Sequence, residues 1–421
     1  MAKKRTYMSF DLKSFYASVE CVARGLDPFK ACLVVADPSR CERSICLAVS
    51  PAMKALGVPG RCRVYELPKD IDYIMAPPRM QEYINVSAQI YGIYLRYVAA
   101  EDIHVYSIDE VFMDVTDYMA PRGLDALGFA RAVMADVLAE TGITATCGIG
   151  PNLYLAKIAL DIISKHSPEF IGVLTEESYR LKLWDHLPLS DFWRVSRGTI
   201  ERLSHLGIRT MRDICQADEA LLYKTFGVDA QLLIDHAWGR ESAGIADIKA
   251  YEPMAHSIST GQVLHEGYDI PGAKLLILEM AELLSLDLVA QGVAASTVDI
   301  VLCYSHSSDR KPAHGSIRLD APSSSTKQLL KYTAALYDRI ATLDVPVYKL
   351  NVAFGAIRPD TGLQYDMFAD TEAQEREKRL QEAVIDIKRK YGKNGIFKAM
   401  NLLEGAKTLE RNGQIGGHRA G

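Results

Sequence analysis

The sequence predicts an α+β protein of several domains. Its 421 residues are too many for one ordinary hydrophobic core, and 48% hydrophobic with 24% charged residues is the balance of a globular chain. Residues 7–161 alternate apolar runs of strand length with helical patterns, and residues 256–356 follow the order strand, helix, strand, strand, helix, strand. The region between them, 187–241, has a helical pattern throughout. We therefore expect two separate sheets with a helical region between them in the sequence.

A β-hairpin is predicted around the acidic pair Asp109 and Glu110. Apolar residues flank this pair on both sides in the run from Val105 to Asp114, which indicates two strands with the acids at or near the turn. Adjacent residues of a regular strand point to opposite faces, so both carboxylates can address one site only where the backbone turns. Taken alone, the pair is more simply interpreted as solvated charge.

A third carboxylate, Asp11, ends the first predicted strand, Tyr7–Asp11, and a helix is predicted from about Ser14. If this strand lies beside the hairpin, Asp11, Asp109 and Glu110 converge. Hard cations such as Mg²⁺ prefer oxygen ligands and keep open positions for substrate phosphates. Three carboxylates without His or Cys therefore favour two Mg²⁺ ions and displacement at a nucleotide α-phosphate.

Two segments resemble the signature segments of the Y-family translesion DNA polymerases. They read FDLKSFYASVE at 10–20 and YSIDE at 106–110, in the family's order and at roughly its separation. The resemblance implies a DNA-directed DNA polymerase of the UmuC-like, Gram-positive type that copies damaged template in SOS-type damage tolerance. It implies primer-template DNA and deoxynucleoside triphosphates as partners, and it leaves the need for accessory protein subunits open. It is strongest in four stretches of the chain: 7–20, 45–58, 104–116 and 145–161.

By this resemblance, Asp11, Asp109 and Glu110 are the catalytic carboxylates and hold two Mg²⁺ ions, with the Leu12 carbonyl as a further ligand. One ion would activate the primer 3′-hydroxyl and the other would hold the triphosphate. Tyr16, five positions after Asp11, stands where the family has its aromatic steric gate against a ribose 2′-hydroxyl. Without the resemblance, Tyr16 would be interpreted as a core aromatic residue of an amphipathic helix.

Three basic residues are candidate contacts for the triphosphate. Lys54 lies on a short helix predicted over Ser50–Gly57, which has a good N-cap and a glycine stop. Lys157 lies on the helix that follows the predicted strand 144–150. The resemblance makes Lys54 and Lys157 nucleotide-binding and adds Arg43 as a third candidate. A solvated surface charge is the alternative interpretation, above all for Arg43.

The resemblance also implies the domains of a right-hand polymerase. The palm would be ferredoxin-like, since residues 80–150 show the order helix, hairpin, helix, strand. The thumb would carry a helix-hairpin-helix that offers backbone N–H groups to DNA phosphates. The expected boundaries are palm 1–14 and 81–180, fingers 15–80, thumb 181–241, linker 242–253, β-α-β-β-α-β little finger 254–358 and C-terminal tail 359–421.

The pentapeptide Gln364–Phe368, QYDMF, resembles the peptide with which bacterial polymerases dock on the sliding clamp. Gln364, Met367 and Phe368 would be its anchors in a shallow apolar pocket. Matches of five residues often arise by chance, so the sequence leaves the clamp interaction open. The rest of the tail is predicted to be a charged helix, 372–391, followed by a solvated end.

The composition limits the possible partners and the cellular location of the protein. The net charge of -5 gives no general support for a nucleic-acid partner, so any DNA contact has to come from a local basic surface. Eight cysteines without a C-x-x-C pair predict reduced thiols, with neither a disulfide framework nor a zinc site. No apolar signal region or membrane span is found, so we expect a cytoplasmic protein without membrane association.

Two other functions stay open at this point. A nucleotidyl cyclase has a similar palm with paired-metal carboxylates, although it predicts neither a thumb nor a clamp-like peptide. A catalytically silent scaffold that binds DNA and the clamp should have lost at least one metal carboxylate, whereas this chain retains all three.

Overall fold

The computed structural model describes residues 5–252, 257–304, 310–341, 345–360 and 371–421. Its contacts divide the chain into two units, Met1–Glu252 and Pro253–Ala420, and each unit is described by itself. The clamp-like pentapeptide lies outside the described residues. Within them, no helix combines the length and the hydropathy needed to cross a bilayer.

Short strands and helices alternate in the first unit. Its strands are β1 (Tyr7–Leu12), β2 (Leu33–Val35), β3 (Ala48–Val49), β4 (Ile74–Ala76), β5 (Ile103–Val105), β6 (Glu110–Asp114), β7 (Ala145–Gly150) and β8 (Ile171–Val173). Its helices are α1 (Phe15–Val22), α2 (Pro51–Ala55), α3 (Met80–Tyr94), α4 (Ala126–Thr141), α5 (Leu153–Ile158), α6 (Glu176–Leu183), α7 (Arg197–His205), α8 (Met211–Gln216), α9 (Glu219–Phe226), α10 (Asp229–Ala237) and α11 (Ile245–Ala250).

The central sheet of the first unit has the strand order β5-β6-β1-β7-β8. Strand β1 is antiparallel to both β6 and β7, and the predicted hairpin forms from β5 and β6. The predicted ferredoxin-like palm consists of helices α3 and α4 and the four strands β5, β6, β1 and β7. Strand β8 adds a parallel fifth strand beside β7 that was not predicted, because three residues carry no periodic pattern.

The fingers region contains a small sheet of order β3-β2-β4, packed on α2 by a core that includes Val34, Val49, Met53 and Cys62. Helix α2 has the predicted ends: the Ser50 hydroxyl accepts the Met53 amide at 3.3 Å, and Gly57 has a φ of +87°. A glycine is favoured at such a φ because an L side chain is strained there. The lysine candidate Lys54 is thus carried by a well-capped single turn.

The region predicted as the thumb is helical, from α6 to α10, around a core that includes Leu203, Met211 and Leu222. The predicted linker 242–253 is only partly a linker, because α11 forms inside it. Ile245 of α11 is buried against Tyr7 and Phe112 of the central sheet, so the apolar side chain fixes this segment.

The second unit has the predicted β-α-β-β-α-β order in an antiparallel sheet of order β11-β10-β12-β9. Helices α12 and α13 pack against each other and on the sheet around residues such as Leu276, Leu336 and Phe354. The elements are β9 (Ser257–Tyr268), α12 (Ile270–Gln291), β10 (Val293–Tyr304), β11 (Ala313–Ser323), α13 (Thr326–Ile340), β12 (Val347–Gly355), β13 (Arg358–Pro359), α14 (Thr371–Tyr391), α15 (Thr408–Asn412), β14 (Gln414–Ile415) and β15 (His418–Arg419).

The C-terminal stretch differs from the solvated tail expected after the charged helix. Helix α14 forms as predicted, but it packs on α12, and the chain then continues through α15 to the hairpin β14-β15. Gln381 of α14 is buried and donates to the Ser324 carbonyl at 2.9 Å and to the Thr326 hydroxyl at 2.8 Å. Buried polar contacts of this kind leave no periodic apolar pattern in the sequence, which is why the docking was not predicted.

Candidate active site

Two neighbouring strands bring the three predicted carboxylates to one edge of the palm sheet. Asp11 of β1 is paired with Glu110 of β6, and the Leu12 amide donates to the Asp109 carbonyl oxygen at 3.0 Å. The predicted juxtaposition of the first strand with the hairpin is therefore confirmed. Leu12, whose carbonyl is the candidate backbone ligand, directly follows Asp11 at this edge.

The hairpin turn holds Asp109 in a defined position. The amides of Tyr106 and Ser107 both donate to the Glu110 carbonyl oxygen, at 3.0 and 3.1 Å, which closes the turn. The Ser107 hydroxyl donates to the Asp109 carboxylate at 2.5 Å. From α3, the Ser87 hydroxyl donates at 2.5 Å to the backbone carbonyl of Ile108, so the turn is also tied to the adjacent helix.

Glu110 is buried and paired with Lys157. The lysine Nζ lies 2.8 Å from Oε1 and 2.9 Å from Oε2 of Glu110, and 3.0 Å from Asp161 Oδ1. Burial raises the pKa of Glu110 although Lys157 acts in the opposite direction. Burial would lower the pKa of Lys157, but Asp161 and Glu110 outweigh it and raise that pKa. Lys157 is therefore held as a cation between two carboxylates.

Lys157 reaches Glu110 because α5 lies directly on the sheet. Gly148 of β7 allows this close approach: a Cβ at this position would be 2.1 Å from the Ala156 carbonyl oxygen. The Asn152 side chain caps α5 by accepting the Leu155 amide at 2.8 Å. The sequence predicted the strand and the helix. The short distance between them is possible because Gly148 of the strand has no side chain.

The carboxyl of Asp11 has a strongly perturbed pKa. Burial is the largest cause that raises the pKa of Asp11 to about 7, followed by the negative charges of Asp109 and Glu110. Crowding of like charges raises a carboxyl pKa because each ion disfavours the next, and a cation would relieve this repulsion. The electrostatics of the edge thus favour a positively charged ligand.

The donor set fits Mg²⁺ by its chemistry, since carboxylate and carbonyl oxygens are the ligands that this ion prefers. The side chains are not gathered around one point: among the residues that the structure describes, no three carboxylate, imidazole or thiolate groups are close enough to hold a metal as they stand. Both oxygens of Glu110 face Lys157 instead. Asp11, Asp109 and the Leu12 carbonyl are the groups left to receive a cation, and Glu110 would join them by turning away from Lys157.

Tyr16 lies beside these acids on α1. Its ring is stacked on that of Tyr83, with a centroid distance of 4.6 Å and an angle of 24°. Burial raises the pKa of Tyr16, and the Asp109 charge raises it further. Tyr16 is only partly buried, whereas its neighbour Phe15 is 2% exposed and belongs to the core. Tyr16 is therefore not fully buried in the core, and its role as a gate stays a prediction.

Three lysines, Lys13, Lys54 and Lys165, are linked electrostatically to the acids or to one another. Burial lowers the pKa of Lys54, Asp11 and Asp109 raise it, and Lys165 lowers it. Lys13 responds in the same way, first to burial and then to Lys54, Asp11 and Lys165. Sequence reasoning found Lys54 and missed Lys13 and Lys165. Lys13 could have been noticed, because it follows Asp11 by two positions in the first signature segment.

Arg43 is exposed in the loop between β2 and β3. Arg43 is not among the residues whose charges shift the pKa values of Asp11, Tyr16 and Lys54 most. The arginine that lowers the pKa of Tyr16 is Arg61. The structure thus brings Lys54 to the acids and leaves Arg43 on the surface.

In the region predicted as the thumb, a short turn joins α7 to α8. The turn amides are used inside the protein: Gly207 donates to the Ser204 carbonyl at 3.0 Å and Ile208 to the Leu203 carbonyl at 3.1 Å. The next two amides, at 209 and 210, both donate to the Asp213 carboxylate at 2.9 Å. This turn therefore does not present these N–H groups to an outside phosphate.

Comparison with known proteins identifies the family. The sequence model of the impB/mucB/samB family matches residues 10–161, and the model of that family's C-terminal domain matches residues 255–367. The putative UV-damage repair protein UvrX of Bacillus subtilis (strain 168) is 30% identical, over 99% of this chain and 98% of its own length. DNA polymerase IV 2 of the same organism is 29% identical, over 99% of this chain and all of its own.

A solved structure with a similar fold is the Y-family DNA polymerase chimera Dbh-Dpo4(243-245)-Dbh. It has a TM-score of 0.64 at 20% identity and covers 84% of this chain and 99% of its own. The curated matches run through the helical region and the C-terminal domain, which a nucleotidyl cyclase does not predict. The chain therefore belongs to the impB/mucB/samB family and is a Y-family translesion DNA polymerase of the Gram-positive type.

Proposed function

We propose that the first unit adds deoxynucleotides to a primer by two-metal nucleotidyl transfer, with Asp11, Asp109 and Glu110 as the catalytic carboxylates. The observation that supports this most is the strand register that sets Asp11 opposite Glu110, with the Asp109 carbonyl 3.0 Å from the Leu12 amide. Two Mg²⁺ ions held by these carboxylates and the Leu12 carbonyl would supply activation of the primer 3′-hydroxyl and neutralisation of the triphosphate.

The lysines beside the acids orient the triphosphate in this proposal. Lys54 and Lys157 are the contacts expected from the resemblance, and Lys13 and Lys165 add positive charge on the side of Lys54. Lysine holds phosphate as a point charge without a bidentate fork, so several lysines together would supply the positive charge. Arg43 is kept as an outer candidate, since the loop that carries it is exposed.

The substrates are then primer-template DNA and deoxynucleoside triphosphates, and the setting is SOS-type damage tolerance. The relative described as a putative UV-damage repair protein supports this setting. Primer extension with purified protein and Mg²⁺ on a template that carries a lesion tests the function. Extension past the lesion is expected, and a protein that adds no nucleotide to either damaged or intact template would contradict the proposal.

Tyr16→Ala is expected to admit ribonucleotides. The ring lies beside Asp109 and is partly exposed, so its removal opens the space that a ribose 2′-hydroxyl would occupy. The measurement is the ratio of kcat/KM for a deoxynucleotide to kcat/KM for its ribonucleotide. This ratio should fall by about a hundredfold, which corresponds to a few kcal/mol of steric exclusion. Phe15→Leu is the control, since Phe15 is a buried neighbour. An unchanged ratio in Tyr16→Ala would dismiss the gate.

We also propose that Gln364–Phe368 docks on a sliding clamp. Support comes from the sequence of the peptide and from its place in the chain between β13 and α14. Deleting 364–368 should abolish stimulation of synthesis by the clamp and leave basal primer extension unchanged, because the anchors are lost while the first unit is intact. Asp366→Ala, which keeps Gln364, Met367 and Phe368, is the matched control. Equal stimulation of the deletion variant would exclude this role.

A further inference from the structure

Two pairs of residues on different helices face each other beside the proposed sugar gate. Tyr16 and Glu20 are four positions apart on α1, and Arg79, the N-cap of α3, stands four positions before Tyr83 of that helix. Residues at this spacing lie on one face of a helix. The two aromatic rings are stacked on each other, and the carboxylate is paired with the guanidinium.

The Glu20 side chain is held in place by several hydrogen bonds. It is 0% exposed, and its Oε1 accepts the Tyr83 hydroxyl at 2.9 Å and Arg79 Nε at 2.9 Å. Its Oε2 accepts Arg79 Nη2 at 3.1 Å, and Arg24 also donates to it. A buried carboxylate with a bidentate arginine, a second arginine and a phenol has little freedom to move, because every displacement breaks charge-assisted hydrogen bonds.

Tyr83 transmits this rigidity to Tyr16. Its ring is completely buried, and its hydroxyl is held by Glu20, so neither end of the side chain is free to shift. Tyr16 has one ring face on Tyr83 and remains partly exposed elsewhere. The position of the Tyr16 ring is therefore set by the Tyr83 ring on which it stacks, since α1 alone leaves the side chain its rotamer freedom.

We propose that Tyr83 and Glu20 are positioning residues for sugar selection: they hold the Tyr16 ring where it blocks a ribose 2′-hydroxyl. This inference rests on the proposed function, because it requires that Tyr16 is the gate. Neither residue touches the reacting atoms in this account. Their effect is confined to the discrimination between ribo- and deoxynucleotides, while the carboxylates that perform the transfer are unaffected.

The experiment compares kcat/KM for a deoxynucleotide and its ribonucleotide in Tyr83→Leu, Tyr83→Phe and Glu20→Gln. In Tyr83→Leu the stack is lost, and the ratio of the two kcat/KM values should fall roughly threefold to tenfold, which corresponds to the interaction energy of one aromatic pair. Tyr83→Phe keeps the ring and loses the hydroxyl bond, so a smaller fall is expected. Glu20→Gln should act in the same direction as Tyr83→Phe. In all three variants, kcat for the deoxynucleotide should stay close to that of the unmodified protein.

Tyr97→Phe is the matched control. It also removes a bond from a tyrosine to a carboxylate, at 2.7 Å to Asp136, next to an aromatic neighbour, Phe129. Its discrimination ratio should not change. A general loss of packing would lower kcat for both sugars and the melting temperature without altering the ratio, and that result in the Tyr83 variants would overturn the inference.

Tyr16→Ala, measured in parallel, separates this inference from the function on which it rests. Relaxed sugar selection in both Tyr16→Ala and Tyr83→Leu supports the inference. Relaxed selection in Tyr16→Ala with an unchanged ratio in Tyr83→Leu and Glu20→Gln overturns the positioning role and leaves the gate intact. Unchanged ratios in all of these variants overturn both.

Discussion

Replacing Asp109 by asparagine is expected to slow nucleotide incorporation by about a thousandfold, since the loss of one ligand that binds a catalytic cation removes several kcal/mol of transition-state stabilisation. Asparagine keeps a carbonyl oxygen that can accept the Ser107 hydroxyl bond, so the hairpin turn should survive. What is lost is the negative charge that raises the pKa of Asp11 across the strand pair. The measurement is single-turnover primer extension at saturating Mg²⁺.

Asp72→Asn provides the matched control, since it removes the charge of an exposed aspartate before β4 in the same unit. It should extend primers at the rate of the unmodified protein, and both variants should melt at the same temperature. Equal rates for Asp109→Asn and the unmodified protein would remove Asp109 from the reaction. If neither Asp109→Asn nor the unmodified protein extends a primer while both bind DNA, the proposed two-metal transfer is contradicted.

Asp109 is a cleaner test than Glu110. Both oxygens of Glu110 lie within 3 Å of Lys157 Nζ in a buried setting. Removing that carboxylate takes one of two charge partners from the buried Lys157, since Asp161 remains, and breaking a buried ion pair costs up to about 3–5 kcal/mol of folding stability. A dead Glu110 variant would therefore mix lost chemistry with lost structure. Asp109 is partly exposed, and its carboxylate accepts a hydrogen bond from the Ser107 hydroxyl.

The sequence allowed the acidic edge to be predicted because its parts are local patterns. Alternating apolar residues define the hairpin, and an acid ends the first strand. Pairing the strands with side chains toward the core leaves few registers, and the observed one sets Asp11 opposite Glu110. The order of elements in the second unit could be predicted for the same reason, since each of its six main elements has its own period.

The partners of the site residues could not be predicted. Lys157 was expected to face a triphosphate, and nothing in its helical pattern indicates that its ammonium lies between Glu110 and Asp161. The pairing of Glu20 with Arg79 joins residues 59 positions apart. Contacts of this kind depend on the distance between packed helices, which is set here by single glycines and by core volume rather than by periodicity.

The C-terminal segment illustrates the same limit in the second unit. Glu279 of α12 is 0% exposed in a helix whose buried positions are mostly apolar. Its Oε1 accepts the Asn401 side-chain amide at 2.9 Å and the Thr408 amide at 3.2 Å, and its Oε2 accepts the Lys407 amide at 2.8 Å. An isolated buried carboxylate is costly, so these three donors explain why a glutamate is tolerated there.

Glu279→Ala is accordingly expected to destabilise the second unit by about 3–5 kcal/mol, because three buried donors lose the charged acceptor that they share. The segment that begins at α14 would lose its anchor at α15, and limited proteolysis should then cut the lysine-containing stretch 393–407 faster than in the unmodified protein. Urea unfolding of the full chain measures the loss of stability. The control is Glu404→Ala, which removes an exposed glutamate from the same segment. Unfolding midpoints that coincide for the two variants would mean that the Glu279 carboxylate does not hold the C-terminal segment. A lower midpoint for Glu279→Ala alone would establish this segment as part of the folded unit.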